Sequence, residues 1–209
     1  MNGHPILPVI YLLDDDAAVR QSLALLLSTV GMSVKAYAEP DVFLREFEPG
    51  LPGAILLDVR MPGIGGMTVL DRLAAMRVTQ PIIVLTGHGT IDLCRRAFKA
   101  GAAEFLEKPV DDELLIDTLQ ECLKTYLLQS SRMVAERQAR ERFERLSARE
   151  REVLDMIIAG LTNREIARAL DLSPRTVEFH RARVAEKLET GTLAELIRHY
   201  APLVESAHI

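Results

Sequence analysis

Three adjacent carboxylates, Asp14, Asp15 and Asp16, directly follow an apolar run at 9–13. Two unit charges about 4 Å apart repel by roughly 4 kcal/mol at an effective dielectric of about 20. A divalent cation relieves such repulsion, and Mg²⁺ is typically bound by one or two carboxylates together with water and phosphate oxygens. The cluster therefore predicts a cation site at the end of a buried segment.

Further polar groups follow other apolar runs in the same way. Asp58, Thr86 and Lys108 each stand at or just beyond the end of a short apolar segment. A carboxylate can act as a nucleophile and form an aspartyl phosphate. A hydroxyl and an ammonium can then hold the new phosphoryl oxygens. This set of groups predicts phosphoryl transfer onto an aspartate.

Five short apolar runs, separated by stretches with helical spacing, must bring these groups together. They lie at 9–13, 33–37, 54–57, 82–85 and 103–106. The alternation predicts an α/β domain with a doubly wound, five-stranded parallel sheet. Such sheets bind ligands at the carboxyl ends of their strands, at a topological switch point. We therefore expect the polar groups to meet at one sheet edge.

The rest of the chain reads as helical. Residues 112–146 contain no glycine or proline, which fits one long helix or a helix interrupted near Gln129. This stretch is either a solvated linker or a dimerisation element. Two capping boxes begin at Ser147 and Thr162, and Ser173 precedes a proline. They predict four short helices at 148–159, 163–170, 174–188 and 192–199, with Gly160 and Gly191 at helix ends.

Composition narrows the class of protein. The chain has 209 residues, 48% of them hydrophobic, and no apolar run long enough to cross a membrane. We read no signal peptide at the N-terminus, so we expect a cytoplasmic protein without a membrane partner. The net charge is −5, but its distribution is uneven: residues 1–124 carry −6, 125–146 carry +2 and 147–209 carry −1. The two cysteines fit no metal-binding spacing.

The segments LLDDD, LLDVRMPGIGG, VLTGHG and AAEFLEKP together resemble a response-regulator receiver domain. The resemblance implies that Asp58 is the phosphoacceptor. It also implies that Asp14, Asp15, Asp58 and the backbone carbonyl of Arg60 bind Mg²⁺. Thr86 and Lys108 would contact the phosphoryl group, Phe105 would couple to Thr86, and the Lys108–Pro109 bond would be cis. We interpret Asp16 as a helix cap.

The stretch LSAREREVLDMIIAGLTNREIARALDLSPRTVEFHRARVAEKL resembles the helix-turn-helix module of the NarL/FixJ and LuxR class. The helix predicted at 174–188, the second of the helix-turn-helix pair, would bury Val177, Val184 and Leu188 and enter the major groove of DNA. The candidate DNA contacts are Arg164, Arg175, Thr176, Glu178, Phe179, Arg181, Arg183 and Lys187. We expect Lys187 to contact a phosphate.

Together the resemblances imply a FixJ-like two-component transcriptional regulator. We expect a receiver at 6–126, a helical linker at 127–145 and a DNA-binding domain at 146–209. The implied partners are a sensor histidine kinase, promoter DNA, a second copy when phosphorylated and, as a further candidate, RNA polymerase. The protein would be no enzyme beyond its own phosphotransfer and dephosphorylation.

Two alternatives remain open. One is a metal-dependent phosphohydrolase, but such enzymes usually carry an acid two residues after the nucleophile, where this chain has Arg60. The other is a DNA-binding regulator whose receiver is never phosphorylated and whose dimerisation a protein partner controls.

Overall fold

A computed structural model describes residues 8–87 and 89–207, with side chains given through Val204. The chain forms two compact units, one ending at Gln129 and the other beginning at Ser130. The outermost residues of the expected domains, 6, 7, 208 and 209, lie outside the described part of the chain. No helix within that part is both long and apolar enough to cross a membrane.

The first unit is built around the predicted parallel sheet. Its strands are β1 (Val9–Leu13), β2 (Ser33–Tyr37), β3 (Gly53–Asp58), β4 (Ile82–Thr86) and β5 (Glu104–Glu107). They lie in the order β2-β1-β3-β4-β5, and all four neighbouring pairs are parallel. The strand order changes direction between β1 and β3. The switch point of the sheet therefore lies between the strands that precede Asp14 and Asp58.

Helices follow the strands and cover both sheet faces. They are α1 (Ala17–Thr29), α2 (Pro40–Glu46), α3 (Gly66–Ala75), α4 (Ile91–Lys99) and α5 (Asp112–Glu144). Alternate residues of each central strand enter opposite cores, because side chains alternate across a strand. Leu57 and Val84 belong to one core, whereas Leu56 and Ile83 belong to the other. Burial on both faces explains the nearly unbroken apolar runs.

Helix α5 continues without interruption through the segment in which we expected a linker. The sequence did not decide whether this helix is interrupted near Gln129, but the chain is helical on both sides of that residue. In the first unit, α5 buries Leu115, Leu119 and Leu123. In the second unit, it contributes Phe143 to the core.

The second unit contains the four predicted helices, α6 (Ala148–Ile158), α7 (Asn163–Ala169), α8 (Pro174–Leu188) and α9 (Leu193–Ala207). Both capping boxes are formed, so the predicted starts of α6 and α7 are confirmed. The prediction that the last helix ends at 199 was wrong, because α9 continues through Pro202. Tyr200 and Val204 are buried on either side of this proline. Their packing explains why the helix persists despite the missing backbone donor.

The two glycines predicted at helix ends differ in their roles. Gly160 follows α6 with φ +82°, as expected of a glycine that ends a helix. After α8, however, the left-handed residue is Glu189, with φ 53°, and not Gly191. Helix α8 therefore ends at Leu188, as predicted, but Glu189 and not the glycine adopts the left-handed backbone.

Candidate functional site

The carboxyl ends of the strands bring the predicted acidic groups together. Asp14 follows β1 and is fully buried, whereas the adjacent Asp15 is exposed. Asp58 is the last residue of β3 and is 5% exposed. One carboxylate oxygen from each of these three residues lies within 4.8 Å of the others. The structure therefore forms the acidic cluster that the sequence suggested.

Lys108 places its ammonium between the two buried carboxylates. Its Nζ lies 2.7 Å from Asp58 Oδ2 and also donates to Asp14 Oδ2, at 2.5 Å. Burial alone would lower the pKa of Lys108, but the hydrogen bonds and charges of Asp14 and Asp58 outweigh it and raise that pKa. The lysine is therefore a fixed positive charge in the cluster.

Backbone amides hold the remaining carboxylate oxygens. The amide of Arg60 donates to Asp58 Oδ1 at 2.9 Å, and the amide of Asp16 donates to Asp14 Oδ1 at 2.9 Å. Each buried carboxylate thus has one oxygen directed by the backbone and the other directed at Lys108. These bonds fix the orientation of both groups before any ligand arrives.

The donor set fits a hard divalent cation. Three carboxylates and one ammonium leave a net charge of −2, and Asp15 keeps the cluster accessible from solvent. Mg²⁺ prefers few carboxylates and retains several waters, which an open acidic cluster allows. The described residues could therefore hold such an ion. The carbonyl of Arg60 stays a predicted ligand.

Thr86 lies on β4, the strand next to that of Asp58, and Phe105 lies on β5, one strand further out. Thr86 ends β4, is fully buried and accepts a backbone hydrogen bond from Lys108 at 2.7 Å. Phe105 lies on β5 and is half-buried against the core. A Cβ atom on Gly89 would lie 3.2 Å from its ring. The loop after β4 therefore passes close to the predicted aromatic switch residue.

Two neighbours of the acidic cluster have other roles. Asp16 caps α1 by accepting hydrogen bonds from the amides of Ala18 and Val19, which confirms that prediction. Arg20, which the sequence did not single out, donates from Nη1 to the carbonyl of Asp14 at 2.8 Å. No motif marked this contact, because it depends on how α1 packs beside β1. The predicted cis bond between Lys108 and Pro109 is present.

The second unit contains the helix pair expected to bind DNA. Helices α7 and α8 are joined by a short turn in which Asp171 adopts φ 52°. Val177, Val184 and Leu188 are fully buried, as predicted for the inner face of α8. The outer face exposes Arg175, Glu178, Phe179 and Arg183.

The predicted DNA contacts differ in their existing partners. Arg183 forms an ion pair with Glu186 on its own helix, with a separation of 2.9 Å. Thr176 shares a hydrogen bond with Ser173 at the start of α8. Arg181 is half-buried. The ammonium of Lys187 lies 2.6 Å from Glu150 Oε2, so its predicted phosphate contact stays a prediction.

Comparison with protein families matches both units. Residues 10–120 match the response regulator receiver domain, and residues 144–200 match the bacterial regulatory proteins of the luxR family. FixJ of Bradyrhizobium diazoefficiens is 40% identical over 90% of this chain and 92% of its own length. The tetrathionate response regulatory protein TtrR of Salmonella typhimurium is 41% identical over 91% of each chain.

Solved structures agree with the sequence relatives. The response regulator StyR has a TM-score of 0.83 at 34% identity, covering 94% of this chain and 99% of its own. Full-length FixJ from B. japonicum has a TM-score of 0.59 at 39% identity, covering 93% of this chain and 96% of its own. The chain therefore belongs to the response regulators that join a receiver domain to a LuxR-type DNA-binding domain, among the FixJ-like transcriptional regulators.

Proposed function

We propose that Asp58 accepts a phosphoryl group from a sensor histidine kinase and that this event controls binding of promoter DNA by α8. The observation that carries the proposal is the arrangement of Asp58: one oxygen is held by the amide of Arg60, and the other faces Lys108 at 2.7 Å. Both contacts orient the carboxylate for attack on phosphorus.

The other pocket residues would act on the phosphoryl group after transfer. Asp14, Asp15, Asp58 and the Arg60 carbonyl would hold Mg²⁺, which would supply positive charge to offset the charge of the phosphoryl oxygens. Lys108, already beside Asp58, would hold one phosphoryl oxygen as an ammonium. The hydroxyl of Thr86 would hold another. Beyond this phosphotransfer and the later dephosphorylation we propose no catalytic activity.

Phosphorylation would favour a homodimer through the surface of α4, β5 and the start of α5. On α4, the large apolar side chains of Ile91 and Phe98 are 83% and 47% exposed, so a second copy could cover them. Movement of Thr86 towards the phosphoryl group would reposition Phe105, which lies on β5 within this surface. Phosphorylation would thus shift the equilibrium from monomer to homodimer, because the contacts of Thr86 and Phe105 would differ between the two states.

In the second unit, α8 would read DNA from the major groove. Two copies would place their α8 helices on half-sites about one helical turn apart. Arg175 and Thr176 lie on the first turn, where base or phosphate contacts are both within reach. Arg164, Glu178, Phe179, Arg181 and Arg183 complete the proposed surface. We propose activation of transcription, with RNA polymerase as the additional partner.

The test is Asp58→Asn, labelled with a small acyl phosphate and followed by mass spectrometry. Labelling should disappear, and the phosphodonor should no longer strengthen DNA binding. Asp16→Asn is the matched control, because it removes a neighbouring charge while asparagine still caps α1. Labelling of Asp58→Asn at the normal rate would show that another residue accepts the phosphoryl group. If the wild-type protein takes up no label and the phosphodonor does not change its DNA binding, control by a protein partner would be favoured.

A further inference from the structure

Lys187 lies in the last turn of α8, and its ammonium already has partners within the second unit. Its Nζ donates to Glu150 Oε2 at 2.6 Å and to the backbone carbonyl of Arg145 at 3.3 Å. The Lys187 side chain is 28% exposed, and the Glu150 side chain is 7% exposed. This is therefore a largely enclosed ion pair between α8 and the start of α6.

One carboxylate oxygen of Glu150 accepts hydrogen bonds from both α8 and the start of α6. The same Oε2 accepts the amide of Ser147 at 2.7 Å, which completes the capping box of α6. Burial opposes ionisation of Glu150, but hydrogen bonds from Lys187 and Ser147 outweigh it and lower its pKa to about 2. The carboxylate is thus ionised at neutral pH and committed to these donors.

Other polar contacts hold the same end of α8. Tyr200 of α9 donates its hydroxyl to the carbonyl of Leu188 at 2.9 Å. Arg142 of α5 forms an ion pair with Glu189, the residue after α8, at 2.5 Å. The carboxyl end of α8 is therefore tied to α5, α6 and α9, whereas its first turn carries the exposed Arg175.

We propose that Glu150 and Lys187 are positioning residues that set the orientation of α8 for reading DNA, and that Lys187 does not contact a phosphate. Two of the three N–H groups of the Lys187 ammonium already donate to Glu150 and to the carbonyl of Arg145, and a lysine that moved away to reach a phosphate would leave a costly unpaired carboxylate in this enclosed position. The neighbouring Arg149 donates to the carbonyl of Leu170 at 2.6 Å, so adjacent residues of α6 hold both α7 and α8. The inference rests on the proposed reading role of α8.

The two possible roles of Lys187 predict opposite effects for Glu150. If the pair positions α8, Glu150→Gln and Lys187→Met should both reduce the preference for a selected duplex over a scrambled one. We expect about a tenfold loss, the scale of one lost base contact. The double variant should lose no more than either single variant. If Lys187 instead contacts a phosphate, Glu150→Gln should strengthen binding to both duplexes, and Lys187→Met should weaken both.

Salt dependence separates the roles further. Loss of one phosphate contact lowers the slope of log affinity against log salt by about 0.9. We expect Lys187→Met to leave the slope on the scrambled duplex unchanged within about 0.3, and a drop near 0.9 would overturn the proposal. Glu141→Gln is the matched control, because it also removes one acidic charge from the second unit, but the ion-pair partner of Glu141 is Arg137 on α5 and not a residue of α6, α7 or α8. Full-length protein is used, with the selected duplex isolated by the wild-type protein from a random library.

Arg175→Ala tests the reading role of α8 independently. The pair variants are Glu150→Gln and Lys187→Met. If Arg175→Ala and both pair variants bind DNA as the wild type does, the proposed reading role of α8 is wrong. If only the pair variants behave as wild type, the positioning role alone is wrong.

A measurement on the unaltered protein avoids any loss of folding in the variants. Reductive methylation followed by mass spectrometry reports the reactivity of each lysine, with Lys124, 69% exposed, as the internal reference. Lys187 should react much more slowly than Lys124, both with and without the selected duplex. Reaction at the rate of Lys124 in free protein, combined with protection by DNA, would overturn the proposal.

Discussion

Gly66 starts α3 directly against the backbone of the strand that carries Asp58. A Cβ atom added at Gly66 would lie 2.0 Å from the carbonyl oxygen of Asp58 and 2.7 Å from the Cα atom of Val59. Both obstacles are backbone atoms, so no side-chain rotation relieves the overlap. Real Cβ atoms essentially never approach closer than 3.0 Å, so the helix and the strand end must separate by about 1 Å.

This displacement should affect both stability and phosphorylation. Overpacking of this kind costs about 1–3 kcal/mol, which exceeds the roughly 1 kcal/mol that alanine gains over glycine in a helix. A misplacement of about 1 Å can lower a reaction rate by about 100-fold. We therefore expect Gly66→Ala to lower the free energy of unfolding and to slow labelling of Asp58 by roughly 10- to 100-fold.

Urea unfolding and the initial rate of labelling by an acyl phosphate measure these effects. Gly65→Ala is the control, because the nearest atom to its added Cβ is 3.8 Å away, an ordinary contact. This variant should stay within about 0.5 kcal/mol and about twofold of the wild type. Labelling of Gly66→Ala at the wild-type rate, with unchanged stability, would refute the reasoning.

Three further predictions concern the second unit. Because the pKa of Glu150 is lowered to about 2, its stabilising effect should be complete above about pH 4.5 and lost as the pH falls towards 2. As the pH falls from about 4.5 to about 2, the free energy of unfolding of Glu150→Gln should decrease by on the order of 2 kcal/mol less than that of the wild type. Arg175→Ala should reduce DNA affinity and, if the contact is to phosphate, reduce the salt slope by about 0.9, as measured by fluorescence anisotropy. Leu188→Ala should cost about 2–5 kcal/mol in urea unfolding, because the leucine is fully buried.

The sequence predicted the receiver fold well because its central strands are buried on both faces. Unbroken apolar runs mark such strands, and the polar residue after each run marks the edge at which they end. The positions of Asp14, Asp58 and Lys108 followed from that pattern alone. Their mutual contacts required the parallel order of the strands, which the structure supplies.

Contacts between distant segments were harder to predict. The capping box identified the backbone role of Glu150, but nothing local indicated its ion pair with Lys187, 37 residues further along the chain. Arg20 is only six residues from Asp14, but its contact was missed because it depends on how α1 packs beside β1. The predicted end of the last helix at 199 was too early, because the burial of Tyr200 and Val204 in the core of the second unit carries α9 through Pro202.

Glu189 constrains which substitutions the end of α8 can accept. Its left-handed backbone disfavours a side chain by about 1–2 kcal/mol, so glycine would relieve strain at this position. Asparagine would tolerate the same backbone more readily than most residues. Either replacement, however, removes the carboxylate that pairs with Arg142. Glycine or asparagine at this position would therefore reduce backbone strain but would remove the ion pair that connects the end of α8 to α5.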